Sequence, residues 1–528
     1  MDEQENIMCT MFADDILIMS SGTVSYKFTE SLVTPIKVVE SWANKYKLKI
    51  NPTKSKFIMF PYKKDITHVP RLKMNDIVIK QSRTLKYLGL LFDERLTWRP
   101  HLEGVREKVN YLQNKLYRFS RATWGVKPQV LKEIYKVAIE KYILYGVEIW
   151  FNKTVKISQK LIQIQRVALV QIAKTYKTVS SEALQVLTGL VPLDLVADKE
   201  VTKFNLFNRG IPINIKDKEY SFQDFDLVNK LGLLPWEKGG ISWSMDSDPN
   251  GRFKKIFTDG SKLNGRVGSG VVCLSEDRDI IWKLEIRLND EASVFIAEAV
   301  AIQMAVEKVG PTKEKIVIFS DSKSVLMALE SNKNHSEVIM KLRKILLVNP
   351  QIKLNWVRAH IGIYGNELVD LSAKNATTKE EVDIKVKIPK SWIKNQLKLT
   401  MLQEWQARWM SSPNSRFLYG IFPEVNTKRC HGDFLINQIL TTHGCFPVHQ
   451  HRFFGKSPDC ECGRDQGTVS HYVYGCQIYR EVRQKYFPEN FFQLGILELI
   501  LNTRGKIGLK IIIQDVLTKS LACVVSSS

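Results

Sequence analysis

Four acidic residues stand where regular elements are expected to begin or end: Asp259 before Gly260, Glu298 in a helical stretch, Asp321 just past KIVIFS, and Asp370 on a helix following Gly365. The ends of elements from one α/β sheet can meet, and four carboxylates so gathered would raise each other's pKa unless cations neutralise them. Hard oxygen ligands suit Mg2+ or Mn2+. Two such ions about 3.5–4 Å apart activate a water and stabilise the leaving oxygen of an in-line phosphodiester displacement. The plainer reading of any one of these residues is a cap or a solvated turn, as for Asp321 ahead of SKSV.

A second constellation lies further on. Cys460, Cys462, His471 and Cys476 form a Cys₃His set with the spacing of a closed, structural Zn2+ site. Cys430, Cys445, His449 and His451 are nearby substitutes, and a metal-free packing cluster is the alternative.

The elements that would carry these residues fall into blocks. Up to about residue 95, short β-like runs (Ile16 to Met19, Phe57 to Phe60, Tyr87 to Phe92) surround a helical stretch from Ser31 to Lys47. From Arg99 the pattern is helical, with Val105, Val109, Leu112, Leu116 and Phe119 forming an apolar stripe. Lys238 to Gly251 is polar and rich in Gly, Pro and Asp, which predicts a linker. From Phe253 to about Thr378 an opening β meander gives way to alternating helices and strands, the pattern of a mixed α/β sheet. The last block carries an amphipathic helix with Ile393, Leu397, Met401, Trp405 and Trp409 on one face, the Cys/His set, and an apolar C-terminal helix.

The chain has 528 residues, and 77 Lys+Arg against 55 Asp+Glu give 77 − 55 = +22. Such an excess points to polyanionic partners, nucleic acid first. No apolar run is long enough for a membrane span and the N-terminus has no secretory pattern. The expectation is therefore an intracellular protein of nucleus or cytoplasm with no membrane partner, its oligomeric state left open. Eight cysteines are too few for a disulfide scaffold of this length. Residues 253–378 hold 18 Lys+Arg and 15 Asp+Glu, so most of the positive excess lies on the flanks.

FTDGS (Phe257 to Ser261), AEAVAIQMA (Ala297 to Ala305), FSDSKS (Phe319 to Ser324) and AHIGIYGNELVDLSAK (Ala359 to Lys374) resemble, in order and spacing, the four motifs of the ribonuclease H family. The resemblance implies cleavage of the RNA strand of RNA–DNA hybrids, with Asp259, Glu298, Asp321 and Asp370 as ligands of two Mg2+ ions, or Mn2+. Asp259 would bridge both ions, His360 would shuttle a proton or aid product release, and Ser322 and Asn366 would touch the substrate backbone. A solvated loop histidine and a helix-capping asparagine are the alternatives for His360 and Asn366.

Phe12-Ala13-Asp14-Asp15 followed by ILIMS is similar to the Asp-Asp hairpin of reverse transcriptases, in which Asp14 and Asp15 would bind catalytic metals. LKINPTKSKFIMF and LKYLGLLFD resemble the palm motifs that follow it in non-LTR retrotransposon polymerases, and the Cys/His set resembles their C-terminal zinc knuckle. The chain is thus expected to be a fragment of a LINE-type polyprotein. Its expected fold is multidomain α/β: a partial palm (1–98), a helical thumb or connection (99–237), a linker (238–252), a ribonuclease H-like mixed five-stranded sheet with flanking helices (253–378), and a helical region with a small zinc-binding module at about 460–476 (379–528). With only 13 residues before Asp14, no polymerase activity is expected of this chain alone. The alternatives are a nucleic-acid-binding module without catalysis, binding RNA or DNA, and a reverse transcriptase completed by an N-terminal segment.

Overall fold

The N-terminal strands β1 (Asn6–Phe12) and β2 (Asp15–Ser21) pair antiparallel, from Asn6↔Ser21 to Phe12↔Asp15. Ala13 and Asp14 make the two-residue turn, with Ala13 at φ 54. The computed structural model describes residues 6–21, 25–61, 69–121, 124–227, 240–245, 248, 254–311, 314–331 and 336–525. Contacts divide the chain into two units: Met1–Asp198 with Glu404–Ser528, and Lys199–Gln403.

In the first unit, helix α1 (Ser25–Lys45) buries Ile36, Val39 and Ala43, and Ile36 packs with Leu72, Met74 and Ile79. Strands β3 (Thr84–Tyr87) and β4 (Leu90–Asp93) form a hairpin. Asp93 then accepts hydrogen bonds from the backbone N–H groups of Thr97 (3.0 Å) and Trp98 (2.8 Å), fixing the entry to α2 (Arg99–Tyr117). Leu102, Val105 and Val109 are buried on α2, but the apolar stripe expected to run to Phe119 stops short. The helix ends at Tyr117, and the chain reverses through a Ser120↔Gly125 bridge that leaves Phe119 exposed. Gly125 sits at φ +96, where a Cβ would lie 2.2 Å from the Phe119 carbonyl oxygen, so only glycine closes this turn. Helices α3 (Val155–Ala173) and α4 (Ser181–Thr188) follow, the second capped by the Ser180 hydroxyl, which accepts from the Ala183 N–H at 3.2 Å.

The second unit is built on a sheet of six strands rather than the five expected. Trp243–Ser244 (β5), within the stretch expected as a linker, pairs parallel with Leu354 and Asn355; residues 238–239, 246–247 and 249–251 of that stretch lie outside the described residues. Strands β6 (Lys255–Leu263), β7 (Arg266–Leu274) and β8 (Ile280–Leu288) form the antiparallel meander. After α5 (Val294–Val309), β9 (Ile316–Ser320) joins parallel to β6. Helices α6 (Lys323–Glu330) and α7 (Glu337–Leu347) lead to β10 (Ile352–Trp356), and α8 (Tyr364–Thr378) completes the set. The sheet order is β5-β10-β9-β6-β7-β8.

Alternation along β6 sorts its side chains to two cores. Ile256 joins Ala299, Ile302, Val325 and Leu342 beneath α5 to α7, whereas Phe257 joins Phe319 and Val369 beneath α8. Both faces of the central strands are covered, which is why they read as continuous apolar runs. Segments outside 253–378 belong to the same body. Asp383 and Ile384 donate their N–H groups to the Arg287 carbonyl on β8 (2.9 and 3.1 Å), and Leu206, Tyr220, Phe225, Ile388 and Ile393 share a core.

The C-terminal part of the first unit packs on α3 and α4. His431 N–H donates to the Leu187 carbonyl (2.8 Å), and the buried Lys132 ammonium donates to the carbonyls of Thr427 (2.8 Å) and Arg429 (2.7 Å). Helices α9 (Phe434–Thr441), α10 (Pro447–Phe454) and α11 (Thr503–Val525) frame the Cys/His segment. Among the described residues, no helix is long and apolar enough to cross a membrane.

Candidate active site

Asp259 closes the buried half of β6, and Glu298 lies in the second turn of α5. Their approach depends on Gly260, because a Cβ there would fall 2.6 Å from the Glu298 backbone nitrogen. Asp321 leaves the C-terminal end of β9, which runs parallel to β6 with Thr258 opposite Ser320. Carboxylate oxygens of Asp259, Glu298 and Asp321 all lie within 4.8 Å of one another.

Burial and mutual repulsion dominate the electrostatics. Asp259 is pushed up to about 7, chiefly by burial and then by the charge of Asp321. Burial, with the Asp259 charge, holds Glu298 far above the usual carboxylate range. Burial also raises Asp321. Glu298 Oε2 is buried with no hydrogen-bond partner. An orphaned carboxylate oxygen in an acidic cluster is costly unless a cation supplies the missing partner, so the donor set fits a hard divalent ion.

The remaining predicted residues are placed less uniformly. Asp370, on α8, is not within that three-carboxylate group; its Oδ2 is 2.6 Å from Lys374 Nζ. It nonetheless raises both Asp259 and Asp321 through its charge. Gly270 on β7 lets α8 this close, since a Cβ would lie 2.6 Å from the Ala373 nitrogen. His360 is exposed on the loop before α8 in a left-handed conformation (φ 54), and its charge acts on Asp321. Asn366 is buried, and its Nδ2 donates to Asp321 Oδ2 at 3.3 Å. Ser322 precedes α6 with its hydroxyl 3.3 Å from that of Ser324. Sequence reading missed Trp356, whose Nε1 donates to the Asp321 carbonyl at 3.1 Å. An indole at the end of a strand carries no signal of such a role before the strands are aligned.

The Cys/His residues form the other group. One ligand atom from each of Cys460, Cys462, His471 and Cys476 lies within 4.8 Å of the rest. Cys460 Sγ and Cys476 Sγ are 3.7 Å apart, and Cys462 Sγ is 3.3 Å from His471 Nε2. The sulfur pair is far too distant for a disulfide but close to the edge of a tetrahedron about a 2.3 Å zinc–sulfur bond. Asp465 Oδ2 is 3.5 Å from His471 Nδ1, which leaves Nε2 facing the sulfurs. Thr468 Oγ1 accepts from the His471 N–H at 3.1 Å, and Gly463 (φ +71) turns the chain after Cys462. Cys445, His449 and His451 are not part of this group. Asp14 and Asp15 are exposed at the β1–β2 turn and belong to neither group.

Residues 252–378 match the RNase H family model, and residues 1–92 match that of reverse transcriptase (RNA-dependent DNA polymerase). A Pol polyprotein of a type-1 retrotransposable element, R1 3, from Nasonia vitripennis is 24% identical over 273 residues, which is 47% of this chain and 71% of that one. Over these segments the chain is similar to LINE-type retrotransposon proteins that carry reverse transcriptase and ribonuclease H domains. Another relative, the putative 115 kDa protein of the type-1 retrotransposable element R1DM of Drosophila melanogaster, is 26% identical over 229 residues, 43% of this chain and 21% of that one. The chain thus spans about a fifth of that relative's length. The structure of RNase H1 from Halobacterium salinarum is 20% identical, covering 23% of this chain and 96% of that one, with a TM-score of 0.19.

Proposed function

We propose that this protein hydrolyses the RNA strand of RNA–DNA hybrids at the Asp259, Glu298, Asp321 site. The observation that carries this reading is the convergence of three carboxylates within 4.8 Å around a buried oxygen of Glu298 that has no protein partner. Divalent Mg2+ or Mn2+, when bound, supplies Lewis acidity and a water of lowered pKa. Asp259, Glu298 and Asp321 hold the cation, with Asp370 contributing from α8. Asn366 orients the Asp321 carboxylate through its amide, and Trp356 fixes the Asp321 backbone. His360, on an exposed loop, moves a proton to or from solvent in this reading, which its exposure and its electrostatic effect on Asp321 support. Ser322, at the mouth of the site, contacts the substrate backbone. Incubation of the purified chain with a labelled hybrid and Mg2+ tests the reading: cleavage that disappears in Asp321→Asn is expected, and intact hybrid with the wild-type chain overturns it.

The Cys460, Cys462, His471, Cys476 set holds Zn2+ in a structural role, stabilising the fold between α10 and α11. Elemental analysis should find one zinc per chain, lost in Cys462→Ser; equal zinc in both proteins would sink the assignment.

A further inference from the structure

Four large aromatic side chains stand in solvent on and just after α2: Tyr111 is 52% exposed, Tyr117 49%, Phe119 65% and Trp124 59%. Cations are interleaved with them. Lys108 and Lys115 lie over the Tyr111 ring at 5.3 and 4.5 Å, and Arg121 lies over Tyr117 at 4.5 Å. Between Lys108 and Lys127 there are five Lys+Arg and no Asp or Glu. Lys174, at the end of α3, adds another cation, its ammonium 3.4 Å from the Trp124 carbonyl. The turn that exposes Phe119 and Trp124 is held by paired backbone bonds, Arg121 N–H to Trp124 carbonyl (2.9 Å) and Val126 N–H to Phe119 carbonyl (3.0 Å). Phe119 and Trp124 are therefore anchored by paired backbone bonds.

We infer that this surface is a stacking platform for single-stranded nucleic acid, separate from the carboxylate site. From Lys108 to Lys127 the charged residues are all cations, with Glu107 the acidic residue at the start of the run, and such an excess selects a polyanion. Exposed aromatic faces select among polyanions, because duplex bases are already stacked on each other and only unpaired bases can lie on a ring. A ring such as Tyr117, with one guanidinium over it, offers a base its other face while the cation reaches a flanking phosphate. A protein partner would meet five like charges, with Glu107 at the start of the run as counter-charge.

Fluorescence anisotropy with the full chain in EDTA tests the inference. The probes are a single-stranded RNA of about 12 nucleotides, which spans one such site, an abasic strand of equal length, and a duplex. Wild type should bind the base-bearing strand at least about tenfold more tightly than the abasic strand. Tyr111→Ala with Trp124→Ala should erase that difference, and Tyr111→Phe should retain it. Lys115→Gln should weaken both strands and lower the salt slope by about 0.7. The inference is overturned if wild type binds abasic and base-bearing strands alike, or if the aromatic variants leave single-strand binding unchanged. Equal loss on the duplex, or loss of self-association instead, overturns it too. Cleavage of hybrid in Mg2+ reports separately on the carboxylate site.

Discussion

Lys374 Nζ lies 2.6 Å from Asp370 Oδ2, one helical turn away on α8, and the pairing raises the lysine's pKa. Among the described residues no Lys or Arg is paired with the other three acidic residues of the cluster: the Gly260 N–H donates to Asp259, the Asn366 amide donates to Asp321, and Glu298 keeps an unpartnered oxygen. The cluster is therefore asymmetric, with one arm already neutralised by an ammonium. An i,i+4 ion pair of this exposure contributes only about 0.3–0.5 kcal/mol, so a divalent ion can displace the lysine, but must compete with it.

Lys374→Gln should accordingly tighten the weaker of the divalent-ion affinities about twofold, read by calorimetric titration with Mn2+ and as a lower Mg2+ half-saturation for hybrid cleavage. Lys379→Gln, which removes the same charge from a pair with Asp383 on the same unit, should change neither. Equal titration curves for all three proteins would refute the competition.

Repulsion within the cluster predicts that function is held against stability. Replacing Asp321 by Asn should abolish cleavage yet raise the melting temperature in EDTA by a few degrees, since relief of about 1 kcal/mol shifts a domain of this size by roughly 2–4 °C. In saturating Mg2+ the order should reverse. A variant that melts lower than wild type in EDTA would show that the carboxylate is structural.

Acid should loosen the first unit. Burial, then the charges of Arg429 and Lys506, holds His431 down at about 4, and burial with neighbouring His449 holds His443 there as well. Unfolded histidines bind a proton near 6.5, so between the two values the unfolded state carries more protons. Stability is full above about pH 6.5 and falls as pH drops toward 4. Denaturant titrations at stepped pH should show this slope, reduced in His431→Gln. A flat profile would mean that the histidines are solvated.

Folding of the catalytic body should require its flanks. A fragment of residues 199–403 keeps the Asp383 and Ile384 bonds to Arg287 and the Leu206, Tyr220, Ile388 and Ile393 core, whereas 252–378 loses both. The longer fragment should melt well above the shorter one. Equal melting would show that the flanking core adds nothing.

Asp259, Glu298, Asp321 and the Cys460, Cys462, His471, Cys476 set are proposed from residue types, spacing and the resemblance to the ribonuclease H motifs and the zinc knuckle, and the fold brings each set together. The alternation of β6 and the helical period of α5 are legible in the local pattern. What the chain could not disclose locally are distances between elements. The close approaches at Gly260 and Gly270 bring Glu298 to Asp259 and lay α8 on the sheet. Only the packed molecule turns Asn366 inward to Asp321 and recruits Trp243 and Ser244 as a sixth strand, whereas the Asp370–Lys374 pair needs no more than one helical turn. Phe119 shows the limit most plainly: helical periodicity assigns it to the buried stripe, but the helix stops two residues earlier and the turn at Gly125 carries it into solvent. Periodicity records which face a side chain would take if the element continued; where the element ends, and what meets it there, is settled by contacts between residues far apart in the chain.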